Sequence, residues 1–196
     1  MGEDRGREYD RLGVIIVTHT ADYLEECLRS VADQTVAPSA TVLVDNASGT
    51  DRVHDLARRY GIPTIRLDSP VTPSAARNIA CSALADCGLI VNLDGDDVMK
   101  PRFLEVYWST ARERQADVVF GAAELTGSAT GVEFTRQKLG PKPDLRRGNY
   151  VPVNSLFKRS LWREVGGFDP SIVWYEDWDF WLSLSERGAT FDMVLG

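Results

Sequence analysis

The chain has 196 residues, and its 43% hydrophobic content is typical of a globular protein with one domain and room for a small appendage. The formal net charge of -7 argues against nucleic acid or an anionic membrane as the main partner, because both carry negative charge. No apolar stretch is long enough to span a bilayer, and three cysteines without metal-ligand spacing favour a reducing cytoplasm over a disulfide framework.

The first 11 residues are highly charged, which predicts a flexible lead-in, and the periodic patterns begin at residue 12. From there, short β-branched runs alternate with amphipathic patterns at helical spacing. The runs predict strands over 12–17, 41–44, 64–67, 89–93 and 118–120, and the helical patterns cover 23–31, 53–60, 76–84 and 103–107. This alternation predicts an α/β domain with a mostly parallel sheet flanked by helices on both faces.

Two residues are expected to start helices. Ser74 follows two prolines, and its hydroxyl predicts the N-cap of the third helix. Pro101 is expected in the first turn of the fourth helix, where the absence of a backbone N–H costs nothing.

The second half of the chain is less regular. Residues 124–148 are rich in glycine and proline, which predicts a long irregular surface loop that is either functional or only connecting. The following pattern predicts a strand over 150–157, a helix over 161–165 that ends at Gly166, and a strand over 190–195. The chain stops just after that strand, so we expect the native protein to extend further.

The stretch over 88–97 stands out because an apolar run with the length of a buried strand ends in three carboxylates, Asp94, Asp96 and Asp97. Three like charges within four positions repel one another, and a divalent cation bound by oxygen ligands would remove that repulsion. A metal site for a phosphate-bearing substrate is one interpretation, and a solvated acidic turn is the other.

Polar side chains also follow two other predicted strands, at Thr18, Asp45 and Asn46. In a doubly wound sheet these strand ends line one crevice, where ligands bind. There Asp45 can accept hydrogen bonds from a ribose or a base, and Asp94 and Asp96 can share a ribose hydroxyl and a metal ion. Alone, residues 45–48 are also typical of a turn with a helix cap.

Further along, Arg77 lies near the predicted start of its helix. Its guanidinium can pair with phosphate oxygens or can form a structural ion pair. The residues alone do not separate these two interpretations.

Glu176, Asp177 and Asp179 are surrounded by four aromatic residues, Trp174, Tyr175, Trp178 and Trp181. Apolar neighbours desolvate a carboxylate and raise its pKa, which makes it a better base at neutral pH. The same acids are typical of the first turn of a helix, where they favour the helix dipole, with two of the tryptophans in the core. Both interpretations can hold at once.

In its order of motifs the chain resembles the inverting glycosyltransferases of family 2, which have the GT-A fold, and the resemblance covers residues 12–185. The matching segments are VIIVT at 14–18, SVADQT at 30–35, VDNAS at 44–48, ARN at 76–78, DGDD at 94–97, VGGFD at 165–169 and EDWD at 176–179. Each motif is weak alone, but the set in this order is specific.

The resemblance implies a metal-dependent enzyme that moves a sugar from a nucleoside-diphosphate sugar to the hydroxyl of a glycan, a lipid-linked acceptor or a small molecule. It implies one domain over 12–196, with donor binding in 12–123 and acceptor binding and catalysis in 124–196. The motifs place Thr18, Asp45, Asn46, Arg77 and Asp94 with the donor, Asp96 and Asp94 with Mn²⁺ or Mg²⁺ as the DxD pair, and Asp177 as the general base with Glu176 as its fallback.

Two departures from the family pattern affect the donor. Asn46 stands where many members have a second Asp, which leaves uridine, thymidine and guanosine donors open, and His19 stands where Tyr is common.

There are two alternative functions. A sugar nucleotidyltransferase needs a glycine-rich basic loop after the first strand, which residues 18–22 lack, and the intact acidic motifs argue against a nucleotide-sugar-binding module without turnover.

Overall fold

A computed structural model of the chain describes residues 8–125, 131–132 and 144–194. One sheet has seven strands, and they are β1 (Leu12–Thr18), β2 (Ala40–Asp45), β3 (Thr64–Arg66), β4 (Leu89–Asp94), β5 (Val118–Phe120), β8 (Leu156–Lys158) and β9 (Phe191–Met193). Their order across the sheet is β3-β2-β1-β4-β8-β5-β9. β8 runs antiparallel to β4 and β5, while the other pairs of this sheet are parallel, which confirms the predicted α/β class.

Helices cover both faces of the sheet, as predicted. They are α1 (Leu24–Ala32), α2 (Arg52–Arg59), α3 (Pro73–Ala83), α4 (Phe103–Arg114), α5 (Arg159–Val165) and α6 (Glu176–Glu186). Because side chains alternate along a strand, Val14 and Ile16 of β1 join a core with α1, α2 and α4, whereas Ile15 joins the opposite core with α3 and α6. Within the described residues, no helix combines the length and apolarity that a bilayer span requires.

The ends of β1, β2 and β4 meet at one edge of the sheet. Thr18 lies opposite Asp45, and Val17 lies opposite Asp94, so the polar residues that follow these strands are neighbours. Gly95 permits this approach, because a Cβ at its position would lie 2.6 Å from Cβ of Thr18. The strand register therefore brings together residues that are far apart along the chain.

The start of α3 differs from the prediction. Thr72 is its N-cap, with Oγ1 accepting a hydrogen bond from the N–H of Ala75 at 3.3 Å, and Pro73 is the first helical residue. Ser74 is buried inside the helix instead of capping it. Threonine and serine have the same capping chemistry, and the fixed φ of Pro73 suits the first helical position, which moves the cap to the residue before it.

The start of α4 also differs, because the helix begins at Phe103 and Pro101 lies in the preceding turn. The N–H of Leu104 donates to Oε1 of Gln34, 2.9 Å away, so a side chain from the end of α1 satisfies a free donor in the first turn of α4. Gln34 also donates to the carbonyl of Lys100 at 2.8 Å. The helix boundary is set by this distant contact.

Residues 150–157 do not form the predicted strand, since β8 begins only at Leu156. Pro152 has no N–H for a sheet ladder, and its carbonyl accepts the hydroxyl of Ser155 at 2.6 Å, so the chain turns before it joins the sheet. Within the predicted loop over 124–148, the described residues form the antiparallel pair β6 (Glu124–Leu125) and β7 (Gly131–Val132) and a 3₁₀ helix, Leu145–Arg147. Residues 126–130 and 133–143 of that prediction, and Leu195 of the last predicted strand, lie outside the described residues.

Asn78 of α3 fastens the turn that ends α5. Its Nδ2 donates to the carbonyl of Phe168 at 2.7 Å, and its Oδ1 accepts from the N–H of Phe168 and from Nε1 of Trp162, each at 2.9 Å. Gly166 caps α5 in the left-handed region, as predicted, and Gly167 follows with φ +86°. A Cβ at Gly167 would lie 2.5 Å from Oδ1 of Asn78, so this glycine is required by space as well as by its backbone conformation.

We therefore expect Gly167→Ala to lower the free energy of unfolding more than Gly188→Ala does. Both glycines have positive φ, but a Cβ at Gly188 meets open space, so that variant carries only the backbone strain. The additional loss in Gly167→Ala should be on the order of 1–3 kcal/mol, because Asn78 must move. Urea unfolding of both variants measures this difference, and equal losses would contradict the role assigned to Asn78.

Candidate active site

An open cleft of ≈ 230 Å³ lies at the shared edge of β1, β2 and β4. It is lined by Val17, Thr18, His19, Thr20, Asn46, Pro73, Arg77, Asp94, Gly95 and Asp96. The cleft therefore brings together the predicted donor-binding residues Thr18, Asn46, Arg77 and Asp94 and the predicted metal ligand Asp96. This location agrees with the general rule that ligands bind at the carboxyl ends of parallel strands.

Thr18 shapes the wall of the cleft through its own turn. Its Oγ1 donates to the carbonyl of Thr20 at 2.7 Å and accepts from the N–H of the same residue at 3.3 Å. The hydroxyl is nearly buried and fixes the segment that carries His19, whose side chain is exposed. The turn therefore presents His19 to the cleft.

Arg77 joins the cleft to the start of α6. Its Nη2 donates to both carboxylate oxygens of Asp94 at 3.1 Å, and its Nη1 donates to Oε1 of Glu176 at 2.6 Å. The Arg77 side chain is only 5% exposed, and its guanidinium lies 5.8 Å from the ring centre of Phe168. Burial lowers the pKa of Arg77, but Asp94 and Glu176 more than offset that effect, so the pKa stays above its ordinary value. Of the two interpretations of Arg77, the structural ion pair is present in this structure.

The three acids that follow β4 have different surroundings. Asp94 is partly buried against Arg77, whereas Asp96 is exposed in the cleft. Asp97 points elsewhere, because its Oδ2 accepts a hydrogen bond from Nδ2 of Asn154 at 2.8 Å. Burial raises the pKa of Asp97, and the Asn154 hydrogen bond opposes that rise. Asp96 is thus the most accessible carboxylate of this segment.

The chemistry of Asp94 and Asp96 fits a hard divalent cation, although the described residues contain no group of three or more His, Cys, Asp or Glu arranged to hold a metal. Carboxylate oxygens are the donors that Mg²⁺ and Mn²⁺ prefer. Mg²⁺ is commonly held by one or two carboxylates, with substrate phosphates and water as its other ligands. The pair at Asp94 and Asp96 therefore fits a cation that arrives with a diphosphate.

Asp45 is fully buried behind the cleft and does not line it. Its Oδ1 accepts the N–H of Ser48 at 2.9 Å, as in the turn that the sequence also allowed. Its Oδ2 has no hydrogen-bond partner among the described residues, and Nε of the half-exposed Arg66 lies 3.9 Å away. A buried carboxylate oxygen without a donor is unfavourable, so this atom is a candidate acceptor for a ligand N–H or O–H.

Asn46 holds the rim of the cleft. Its Nδ2 donates to the carbonyl of Val71 and its Oδ1 accepts the N–H of the same residue, both at 2.9 Å. An Asp at this position would be unable to donate to that carbonyl. The departure from the family pattern noted in the sequence therefore has a structural role, since the amide fastens the segment that leads to Thr72 and α3.

Asp177 lies in the first turn of α6, beside the residue that pairs with Arg77 but outside the residues that line the cleft. Its Oδ2 accepts from Nδ2 of Asn149 at 3.0 Å, and its Oδ1 accepts the N–H of Trp178 at 2.8 Å. Burial raises the pKa of Asp177 above its ordinary value, and these two hydrogen bonds partly oppose the rise. This combination suits a general base at neutral pH.

The aromatic residues around these acids divide into two groups. Trp174 and Tyr175 are 81% and 68% exposed, and Tyr175 precedes α6 in the left-handed backbone region with φ 62°. Trp181 is fully buried, and Trp178 donates from Nε1 to the carbonyl of Leu145 at 2.7 Å. The segment is therefore both a helix start and an exposed aromatic surface beside the acids, but of the two tryptophans expected in the core only Trp181 lies there, since Trp178 is half-buried.

Two asparagines that contact acids of this region, Asn149 and Asn154, were not predicted from the sequence. Asn149 follows the irregular segment 124–148, where no pattern marks it. Asn154 lies in the segment that was predicted as a strand, so its contact with Asp97 could not be read from spacing. Gln34, which contacts the start of α4, had its place in a matching segment as its only signal.

Comparison with known proteins identifies the family. Residues 13–171 match the model for "Glycosyl transferase family 2". The chain is 30% identical over 184 residues to the uncharacterized glycosyltransferase YwdF of Bacillus subtilis, covering 88% of this chain and 67% of that protein. It is 26% identical over 175 residues to the glycosyltransferase GlyG of Streptococcus pneumoniae, covering 78% of this chain and 58% of that protein.

The fold matches crystal structures of S. aureus TarS. One TarS structure aligns with a TM-score of 0.78 and 17% identity over 94% of this chain and 35% of that chain. The 1–349 fragment in complex with UDP aligns with a TM-score of 0.74 and 19% identity over 94% of this chain and 60% of that chain. The same fragment has also been crystallised with UDP-GlcNAc. The chain therefore has the GT-A fold and spans only part of the proteins that it matches.

The ion pairs of Arg77 make this residue a test of the site's architecture. We expect Arg77→Gln to lower the free energy of unfolding by about 3–5 kcal/mol, because it leaves Asp94 and Glu176 without their buried cation. Arg58→Gln is the matched control, since Arg58 pairs with Asp55 on the exposed face of α2 and its loss should have little effect. Urea unfolding of both variants measures the difference, and a small loss for Arg77→Gln would contradict the structural role of the pair.

Proposed function

Because the chain belongs to glycosyl transferase family 2, we propose that it transfers a sugar from a nucleoside-diphosphate sugar to an acceptor hydroxyl with inversion at the anomeric carbon. The observation that carries this proposal is the continuous contact from Asp94 through Arg77 to Glu176, which fixes a base-bearing helix beside a carboxylate-lined cleft. The carboxylate-lined cleft suits the diphosphate, and the helix that carries Asp177 suits the acceptor.

Asp96 and Asp94 are the residues that we propose to hold Mn²⁺ or Mg²⁺. When bound, the cation would neutralise the diphosphate and act as a Lewis acid toward the leaving group. Asp96 is exposed in the cleft, which supports it as the direct ligand, while Asp94 is held by Arg77. We propose that Asp94 contacts the ribose and is the second residue of the metal site, beside the direct ligand Asp96.

Asp177 is proposed as the general base, and Glu176 supports the helix that carries it. Oε1 of Glu176 accepts a hydrogen bond from Nη1 of the buried Arg77 at 2.6 Å, so this carboxylate is already engaged in an ion pair. The Asp177 carboxylate takes the proton of the acceptor hydroxyl as that oxygen bonds to the anomeric carbon. The bond from that carbon to the diphosphate oxygen breaks, and the diphosphate leaves with the electron pair.

For the nucleotide we propose uridine diphosphate. Oδ2 of Asp45 has no hydrogen-bond partner among the described residues, and it would accept the imide N–H of uracil once the buried side chain is uncovered toward the cleft on binding. The structurally similar TarS fragment has been crystallised with UDP and UDP-GlcNAc. Asn46 is occupied with Val71, so we assign it to the shape of the pocket instead of to direct base recognition.

The proposal also places the two halves of the function along the chain. Residues 12–123 contain the cleft and would bind the donor, while residues 124–196 contain Asp177 and would bind a glycan, a lipid-linked acceptor or a small molecule.

The three cysteines are free and buried, which supports a reducing cytoplasm as the compartment. A nucleotidyltransferase is less well supported, since the turn at 18–22 lacks glycine, lysine and arginine.

Donor binding and turnover should separate in two variants. Asp96→Ala should weaken Mn²⁺-dependent binding of UDP by on the order of 100-fold, because it removes a metal ligand. Asp177→Asn should keep that affinity and lower turnover by about 100-fold or more, because it removes the base. Calorimetry and a transfer assay measure the two quantities. Asp86→Ala is the control, since Asp86 is exposed just before β4 and should change neither. Equal losses of UDP affinity in the Asp96 and Asp177 variants would contradict these roles.

The thermal stability of the protein with different nucleoside diphosphates should show which nucleobase it prefers. With Mn²⁺, UDP should raise the Tm more than CDP, ADP or GDP does, since a ligand at 100 times its Kd stabilises by about 2.7 kcal/mol. Asp45→Asn keeps an oxygen for the Ser48 N–H but should lose much of the preference for UDP over CDP. Asp55→Asn on the exposed face of α2 serves as the control. An unchanged preference in Asp45→Asn would rule out Asp45 as the group that recognises the base.

A further inference from the structure

The carboxylate of Asp177 is held from both sides. Its Oδ1 accepts the N–H of the next residue, Trp178, and its Oδ2 accepts Nδ2 of Asn149 at 3.0 Å. Asn149 precedes Asp177 by 28 residues and lies just after the 3₁₀ helix Leu145–Arg147. A side chain from outside α6 therefore determines how the proposed base is oriented.

The segment that carries Asn149 is itself attached to α6. The carbonyl of Leu145 accepts Nε1 of Trp178 at 2.7 Å, and the Leu145 side chain is buried in the core that contains α6. Asp144 caps the 3₁₀ helix by accepting the N–H of Arg146. These contacts hold the Asn149 backbone near the first turn of α6 without involving Asp177.

Asn149 and Asn154 share one pairing pattern. In each, Nδ2 donates to a carboxylate, that of Asp177 or of Asp97, and Oδ1 is buried without a hydrogen-bond partner among the described residues. Asn46 and Asn78, by contrast, have both amide atoms paired. An amide that leaves one buried atom unpaired contributes less to stability than a fully paired one. What sets Asn149 apart is its partner, because Asp177 is the proposed base.

We propose that Asn149 is a positioning residue for sugar transfer, whose side-chain amide fixes the orientation of the Asp177 carboxylate that takes the acceptor's proton. This inference rests on the proposed function. The orientation of the amide is dictated by chemistry, since an ionised carboxylate only accepts hydrogen bonds and the NH₂ group must face it. A base held in one orientation loses less freedom when the acceptor binds.

The same contact also changes the protonation of Asp177. Burial and the charge of Glu176 raise its pKa, whereas Asn149, the N–H of Trp178 and the charge of Arg77 lower it. The nearby 3₁₀ helix carries Arg146 and Arg147, both exposed, and Arg147 pairs with Asp144. Without the Asn149 hydrogen bond the pKa of Asp177 rises further. The base is then protonated at a higher pH, so the acidic limb of the rate profile moves upward.

The experiment compares Asn149→Ala and the isosteric Asn149→Asp with Asn78→Ala. Asn78 pairs with Phe168 and Trp162, so Asn78→Ala removes a structural amide that does not contact Asp177. We expect both Asn149 variants to lower kcat/KM by about tenfold or more and to move its acidic limb upward by about one pH unit. UDP affinity should stay unchanged in both. Asn78→Ala should lower the Tm without moving the limb.

An acidic limb that stays in place in both Asn149 variants would overturn the inference, and so would an equal shift in Asn78→Ala. A direct NMR titration of the Asp177 carboxyl separates this result from failure of the proposed function. If the wild-type protein transfers no sugar, the proposed function fails. A raised Asp177 pKa in both Asn149 variants then still supports the positioning contact, and an unchanged pKa overturns it.

Discussion

The buried guanidinium of Arg77 is the contact on which the arrangement of the site depends. It joins Asp94 at the end of β4 to Glu176 at the start of α6, two acids that come from different halves of the chain. A buried cation is stable only where its charge is matched and hydrogen-bonded, so both acids must stay in place for the core to remain intact. The helix that carries Asp177 is therefore anchored to the strand whose end lines the cleft, so the proposed base and the proposed donor site share one support.

The repulsion among the acids after β4 is reduced mainly by protein groups. Arg77 compensates Asp94, and Asn154 donates to Asp97, which leaves Asp96 as the exposed carboxylate. The three neighbouring acids therefore do not by themselves require a cation, because folding provides partners for two of them. What favours a cation is the accessibility of Asp96 in a cleft at the carboxyl ends of parallel strands.

Most of the fold was predictable because its patterns are local. The alternation of β-branched runs with amphipathic segments predicted β1, β2, β4 and the helices between them, since period-2 and helical spacing need only neighbouring residues. Boundaries set by distant partners were not predictable. Gln34, for example, donates and accepts at the turn before α4 and in its first turn. The start of α3 was displaced for a local reason, since Thr72 and not Ser74 is the cap before Pro73. The prediction of a strand over 150–157 was wrong because a turn at Pro152 interrupts the segment.

For the site, the sequence alone determined which acids follow which strands, and the family motifs determined the type of reaction to expect. Strand register then made the polar ends of β1, β2 and β4 neighbours, which the parallel geometry of the sheet requires. Only the tertiary structure decided which partner each side chain has. It paired Arg77 with Asp94 and Glu176, turned Asn46 toward Val71, and placed Asn149 against Asp177. Such pairings depend on the packing of segments that no local pattern connects.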